Sequence, residues 1–338
     1  MSKVQAPQLS DILAARERIA PYIRRTPLVE LDLGLSDRRI FLKLETLQPI
    51  GAFKLRPALS AILARSQAEL SHGVAVASSG NMAYGTAWVA QRLGIPMAAY
   101  MMADAPAAKI NGVRKLGGDV RFIDGPTWWD YITDVDHPVA SELLINPVTD
   151  AGVLAGNGSL GLEIMEDLPD ADWVLTPIGG GSLTTGVASA VKAIRPEVKV
   201  LAVESEAAAP ATAALAAGQV VQVPVQESFI KSIGGPSVVP ALWPVVSRLI
   251  DGTSVVSLAQ VVQAMALLFQ QVKVVAEGAG AASLAAAIHD PRLKGNVVCV
   301  ISGGNIDAES FIQALRGEIP DAKPASSTVQ EPVATHPG

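Results

Sequence analysis

The feature that most restricts this chain is a repeated change of hydrophobic period. Short apolar runs at Val74–Ala77, 97–101, 120–123, Trp173–Pro177, 198–203 and 297–301 alternate with stretches at helical spacing, among them Asn81–Leu93, 107–116 and 280–288. Runs without strict polar alternation suit strands covered on both faces, and strand-helix alternation builds parallel sheets flanked by helices. The expected class is therefore α/β, with parallel-rich twisted sheets. Helix signals frame the alternation. Ser10 is positioned to cap an opening helix with an Ile12, Leu13, Ile19, Ile23 stripe, ended near Thr26-Pro27. The uncharged stretch 252–272 contains Gln260, Gln263, Gln270 and Gln271, and Ser257 with Gln260 forms a capping-box pattern. It reads as a core or interface helix, not a membrane span.

Composition narrows the function classes. Hydrophobic residues make up 49% and charged residues 17% of 338, which excludes disorder for the body of the chain. The net charge of −6, without a basic run, argues against nucleic acid and anionic membrane as partners. A single cysteine, Cys299, cannot staple a fold, and four scattered histidines give no zinc cluster. With no apolar segment after Lys3, a signal peptide is not expected, and the cytoplasm is the expected home.

Three loops look as if they face one ligand. Lys54 follows Gly51, Ala52 and Phe53, a small-small-aromatic approach that admits a flat ring. A lysine in covalent catalysis must lose its proton, which requires burial or a nearby cation. Taken alone, Lys54 reads more readily as a solvated lysine at a helix start. Ser78-Ser79-Gly80-Asn81 sits between a strand and a helix, where free backbone N–H groups can meet a carboxylate or merely a cap. Gly179-Gly180-Gly181-Ser182-Leu183 has the same placement, and three consecutive glycines let the backbone wrap a phosphate. It is neither a Walker loop nor a spaced-glycine dinucleotide fingerprint. Ser302-Gly303-Gly304-Asn305 ends the last strand, where ligands of α/β sheets sit.

In this order and at these separations, the four segments resemble the serine/threonine dehydratase branch of the fold type II, tryptophan-synthase-β-like, pyridoxal-phosphate enzymes. Serine racemase belongs to the same branch. The resemblance runs over residues 26–315. It implies a two-lobed enzyme, with residues 1–71 and 149–318 in a large cofactor-binding domain and 72–148 in a small domain carrying the asparagine loop. Residues 319–338 read as a disordered tail. It also implies a homodimer.

The resemblance assigns roles. Lys54 holds pyridoxal 5'-phosphate covalently and exchanges the α-proton, and Phe53 packs on the ring. Asn81 bonds the ring 3-hydroxyl, and Gly179, Gly180, Gly181, Ser182 and Leu183 cradle the phosphate. Ser302 bonds the pyridine nitrogen; a neutral partner there moderates carbanion stabilisation and favours β-elimination. Ser78, Ser79, Gly80 and Asn81 hold the substrate carboxylate, and Ser79 matches the residue on the opposite cofactor face in the racemase. The implied reaction turns a β-hydroxy amino acid into a 2-oxo acid and ammonia.

The chain departs from the family pattern at several places. Asn81 is followed by Met82, Ala83 and Tyr84 where the family loop reads His-Ala-Gln. Met82 and Tyr84 are thus expected to line the substrate pocket and to suit a bulky or apolar β-substituent, such as the phenyl group of phenylserine, over threonine or serine. Pro57 follows Arg56 where glycine is frequent, and Asn146-Pro147 replaces His-Pro. Trp128, Trp129 and Tyr131 read as packing aromatics. Glu204 matches one ligand of a family cation site, but Pro210 replaces a carboxylate and Glu206 is an unsupported substitute, so no metal is expected. Lys231 stands where many relatives carry aspartate. An amino-acid racemase on the same fold is the main alternative. A β-replacement synthase and a non-catalytic binding protein fit less well.

Overall fold

The computed structural model describes residues 4–103, 105, 107–133 and 142–321. The chain begins with α1 (Leu9–Ile19), the antiparallel pair β1 (Leu28–Leu31) and β2 (Arg38–Leu44), and α2 (Leu55–Leu63). A first run of alternation follows: β3 (Val74–Ala77), α3 (Asn81–Leu93), β4 (Met97–Met102), α4 (Ala107–Lys115), β5 (Asp119–Ile123), α5 (Gly125–Thr133) and β6 (Leu143–Leu144). The second run comprises α6 (Ala151–Asp167), β7 (Trp173–Pro177), α7 (Ser182–Ile194), β8 (Lys199–Ser205), α8 (Pro210–Ala217) and α9 (Trp243–Leu249). The chain then forms β9 (Gly252–Val256), α10 (Leu258–Leu267), α11 (Gly278–His289), β10 (Gly295–Ile301) and α12 (Ala308–Leu315).

The strands form two sheets. One has six strands in the order β1-β2-β10-β7-β8-β9, parallel except for the β1–β2 pair. The other has four parallel strands in the order β5-β4-β3-β6. The six-stranded sheet is covered on both faces. Leu42, Leu201, Val297 and Cys299 pack with Val261, Met265 and Leu284 of α10 and α11, while Val174, Val200 and Val298 pack with Leu160, Ile164 and Val187 of α6 and α7. Two-sided burial accounts for the continuous apolar runs of β7, β8 and β10. Around the smaller sheet, Val74, Val76 and Ala99 share a core with Leu55 and Leu59 of α2 and with Ala83 and Ala87 of α3.

Two local readings change. Gln8, not Ser10, caps α1: its backbone N–H donates to the Asp11 carboxylate at 2.9 Å, and Ser10 lies inside the first turn. Ile23 lies beyond the helix end. The stretch 252–272 is not one helix. It starts as strand β9, with Thr253, Val255 and Val256 supplying β-branched residues beside β8, and turns helical only after Ser257. The capping box is present, with Gln260 N–H to Ser257 Oγ at 3.1 Å and Ser257 N–H to Gln260 Oε1 at 2.9 Å. Among the described residues no helix is long and apolar enough to cross a membrane. Most of the expected tail, from residue 322 onward, lies outside the described residues.

Candidate active site

Because β7 and β10 are parallel neighbours, the loops after them open at the same edge of the larger sheet. The loop after β3 faces them from the smaller sheet. Together they bound a cavity of about 470 Å³. Its size is that of an ordinary small-molecule site. Lys54, Asn81, Gly180, Ser182 and Ser302 all line it. The four sequence segments are therefore brought together.

Lys54 immediately precedes α2, and its segment is stitched to the end of β10. Phe53 N–H donates to Ser302 O at 2.9 Å, Gly304 N–H to Gly51 O at 2.9 Å, and Ala52 bridges Gly303. Gly51 takes a φ of 71°, which lets the chain turn back before the lysine. The open part of Lys54 faces the cavity and protein surrounds the rest. This desolvation pushes its amine down to about 8 from 10.5. Its Nζ lies 4.9 Å from the centre of the Phe53 ring. A substantial neutral fraction near pH 8 is what a lysine that condenses with an aldehyde needs.

The glycine loop has no room for side chains. A Cβ on Gly179 would stand 2.8 Å from Ser232 O, and one on Gly180 would stand 2.5 Å from Val148 Cγ2. Gly181 adopts a φ of 97°, a conformation that side chains resist. The loop leads into α7, whose first N–H groups point outward from the helix end. Ser182 Oγ donates to Pro147 O at 3.0 Å, which ties the loop to the segment after β6. This cradle fits a phosphate group held by backbone amides.

The turn after β3 is equally anchored. Ser78 N–H donates to Tyr100 O at 3.0 Å, and Ser79 Oγ accepts Met102 N–H at 2.8 Å. Asn81 is buried. Its Nδ2 donates to Glu277 Oε1 and its Oδ1 accepts from Asn305 Nδ2, both at 2.8 Å. Glu277 in turn pairs with Lys109 Nζ at 3.3 Å. Sequence reasoning missed Glu277 and Lys109. Glu277 precedes Gly278-Ala279-Gly280 at the start of α11, a placement that could have drawn attention to it, whereas Lys109 stands in no such motif; only the meeting of the two sheets makes them neighbours.

Met82 lines the cavity, but Tyr84 does not: its ring packs against Gly112 of α4, about 3.3 Å from where a Cβ would sit there. Adjacent positions on α3 point about 100° apart, so only some of 81–84 can face the ligand. Trp128 and Trp129, read as packing, do line the cavity while also packing against the smaller sheet. Asn146 holds α5 in place, donating to the carbonyls of Tyr131 and Ile132 and accepting from Val148 and Thr149 N–H. Lys231 reaches the cavity rim and is exposed.

Away from the cavity, the Glu204 carboxylate accepts from Ala211 N–H, Thr212 N–H and Thr212 Oγ1. It acts as a cap for α8. Glu206 accepts from Leu258 N–H. Among the described residues no group of three or more His, Cys, Asp or Glu side chains is placed to hold a metal ion.

Comparison with known proteins matches this arrangement. Residues 19–303 match the family model described as pyridoxal-phosphate dependent enzyme. The chain belongs to that family. It is 36% identical over 305 residues to an L-threonine ammonia-lyase of Thermotoga maritima, covering 88% of this chain and 76% of the relative. It is 33% identical over 327 residues to a serine racemase of Oryza sativa, covering 92% and 94%. Among solved structures, maize serine racemase superposes with a TM-score of 0.82 at 31% identity, covering 92% of this chain and 97% of that one. A threonine deaminase of T.th. gives 0.78 at 35%, covering 89% and 99%. The fold is thus that of the fold type II pyridoxal-phosphate enzymes, and the cofactor is pyridoxal phosphate.

Proposed function

We propose that the protein is a carbon-nitrogen lyase that converts a β-hydroxy α-amino acid into a 2-oxo acid and ammonia. The single observation behind this reading is the half-buried Lys54, its amine lowered by desolvation, in one cavity with the 78–81 turn and the glycine cradle. The threonine ammonia-lyase relatives support the reaction class. When bound, the cofactor supplies the electron sink for breaking the bonds at Cα. The protein's own residues do the rest. Lys54 carries the cofactor and exchanges the α-proton. Backbone N–H groups of Gly179, Gly180, Gly181, Ser182 and Leu183 hold the phosphate. Ser302, buried at the end of β10, is the partner of the ring nitrogen; Phe53 packs on the ring, and Asn81 orients its hydroxyl. Ser78, Ser79, Gly80 and Asn81 receive the substrate carboxylate.

The substrate's β-substituent is bulky or apolar, as in phenylserine. Met82, Met102, Trp128, Trp129 and Ile132 give the cavity an apolar wall, which favours such a group over the hydroxymethyl of serine. A panel of serine, threonine and threo-phenylserine, scored for 2-oxo acid release by the purified yellow protein, tests both points. No 2-oxo acid from any of them would overturn the lyase reading. A clear preference for threonine would overturn the bulky substituent.

Racemisation is a second reading, favoured by the serine racemase relatives and by the placement of Ser79 in the same cavity as Lys54. Chiral analysis of recovered substrate separates the two. We further propose a cytoplasmic homodimer with two lobes, residues 1–71 with 149–318 and residues 72–148. The two sheets support the lobes. The exposed apolar Phe269 and Ile312, beside the edge contact of Phe269 with Phe311, support a dimer. Sedimentation velocity tests it.

A further inference from the structure

Lys109 is a charged, buried group of the cavity to which the proposed chemistry gives no task. It stands in the first turn of α4, only 9% exposed, with its ammonium 3.3 Å from Glu277 Oε2. Glu277 reaches in from the opposite side, just before α11, and divides its oxygens between Lys109 and Asn81. Lys109 Nζ also lies 3.9 Å from the position a Cβ would occupy on Gly80, beside the 78–81 turn. An ammonium offers three donors, and a single carboxylate at this distance occupies only part of that capacity. Among the described residues, the ionisable side chains lining the cavity are Lys54, Lys109, Lys231 and Glu277, a set suited to an anionic ligand. The first N–H groups of α3 open toward the same place.

We infer that Lys109 is the counter-ion of the substrate α-carboxylate: its ammonium, held by Glu277, receives that carboxylate as it docks on the turn after β3. Glu277 keeps the ammonium desolvated and aimed, and the substrate carboxylate then shares or takes over the ion pair. The amino acid is thereby fixed from both sheets at once. Lys109 comes with the smaller sheet, Glu277 with the larger, and Asn81 joins them through its amide. The inference rests on the amino-acid reading above and on the turn as the carboxylate site.

The test uses the cofactor-loaded enzyme and follows the shift of its visible absorbance band. Two ligands are titrated: whichever of threonine and threo-phenylserine shifts the wild-type band at lower concentration, and the amine with the same side chain but no carboxylate. In Lys109→Met the apparent affinity for the amino acid is expected to fall about 10- to 100-fold, the value of one charge-assisted contact, with the amine unchanged. KM rises by a similar factor while kcat changes less than about threefold. Lys109→Arg restores most of the loss. Lys109→Met combined with Glu277→Gln avoids leaving a lone buried carboxylate and is expected to show the same selective loss. Equal weakening of both ligands, or of neither, in a folded variant would overturn the inference. If neither amino acid shifts the wild-type band, the amino-acid reading itself falls and takes this inference with it.

Discussion

Two lysines enter the interior from neighbouring segments and are treated in opposite ways. Lys43, on β2, is fully buried and saturated with oxygen: Thr26 O at 2.7 Å, Glu163 Oε2 at 2.9 Å and Asp167 Oδ2 at 3.0 Å. Glu163 also serves Arg56, whose guanidinium forms a second pair with the buried Glu45. Lys54 forms no ion pair among the described residues and has the face of Phe53 as its near neighbour. The difference teaches that burial alone does not make a lysine chemically useful. Where carboxylates accompany the ammonium, the result is a structural tie between β2, α2 and α6. Where they are withheld, desolvation is uncompensated and a reactive amine results.

The largest break in this comparison is Lys54→Ala. It is expected to abolish the covalently held cofactor band and to lower 2-oxo acid release by at least about 10³-fold. Retained turnover would remove Lys54 from its role. Lys43→Met is the complementary test. It leaves Glu163 and Asp167 short of a cation and is expected to cost about 3 kcal/mol by denaturant titration, with turnover per folded molecule unchanged. A smaller effect is expected from Gly179→Ala, whose methyl would meet the Ser232 carbonyl. Overpacking of this kind costs about 1–3 kcal/mol, so equilibrium dialysis should show cofactor affinity lowered by about tenfold or more. Trp129→Ala should have the mildest effect, a loss of about tenfold in kcat/KM for phenylserine relative to threonine.

The contrast also sets a pH dependence. With the folded value of Lys54 near 8 and the unfolded value near 10.5, the unfolded chain binds more protons between these limits. The contribution of Lys54 to the stability of cofactor-free protein therefore rises as pH increases through that window. The rate of cofactor capture should climb to about pH 8 and then level off. Stopped-flow absorbance with wild type and Lys54→Met separates this contribution from the background.

Much of the fold was legible because parallel strands buried on both faces leave unmistakable apolar runs, as in β7 and β10. The glycine loop was legible because a tight backbone cradle needs glycine, and Gly179 and Gly180 have no space for a Cβ while Gly181 takes a positive φ. The stretch 252–272 reads as one helix in the sequence because an uncharged run fits a buried strand or a buried helix equally well, and only pairing with β8 decides. Tyr84 departs from its expected place because proximity in sequence to Asn81 is not proximity in space: α3 carries it round to Gly112 of α4. Glu277 and Lys109 were invisible for a different reason. They acquire meaning only across the gap between the sheets, and no local pattern encodes that meeting.

The stitching of the Lys54 segment to the end of β10 has a consequence for how this scaffold can change. Residues 51–53 are joined to residues 302–304 through main-chain atoms alone, Phe53 to Ser302 and Gly51 to Gly304. The hydrogen bonds that tie the lysine segment to position 302 thus do not run through the side chain at 302. If Ser302 partners the ring nitrogen as proposed, a replacement there would alter the electronic demand placed on a bound ring without removing a main-chain hydrogen bond of the lysine segment. On that reading, the chemistry of the site is a variable that a single codon can turn, mounted on main-chain bonds in which that codon's side chain takes no part.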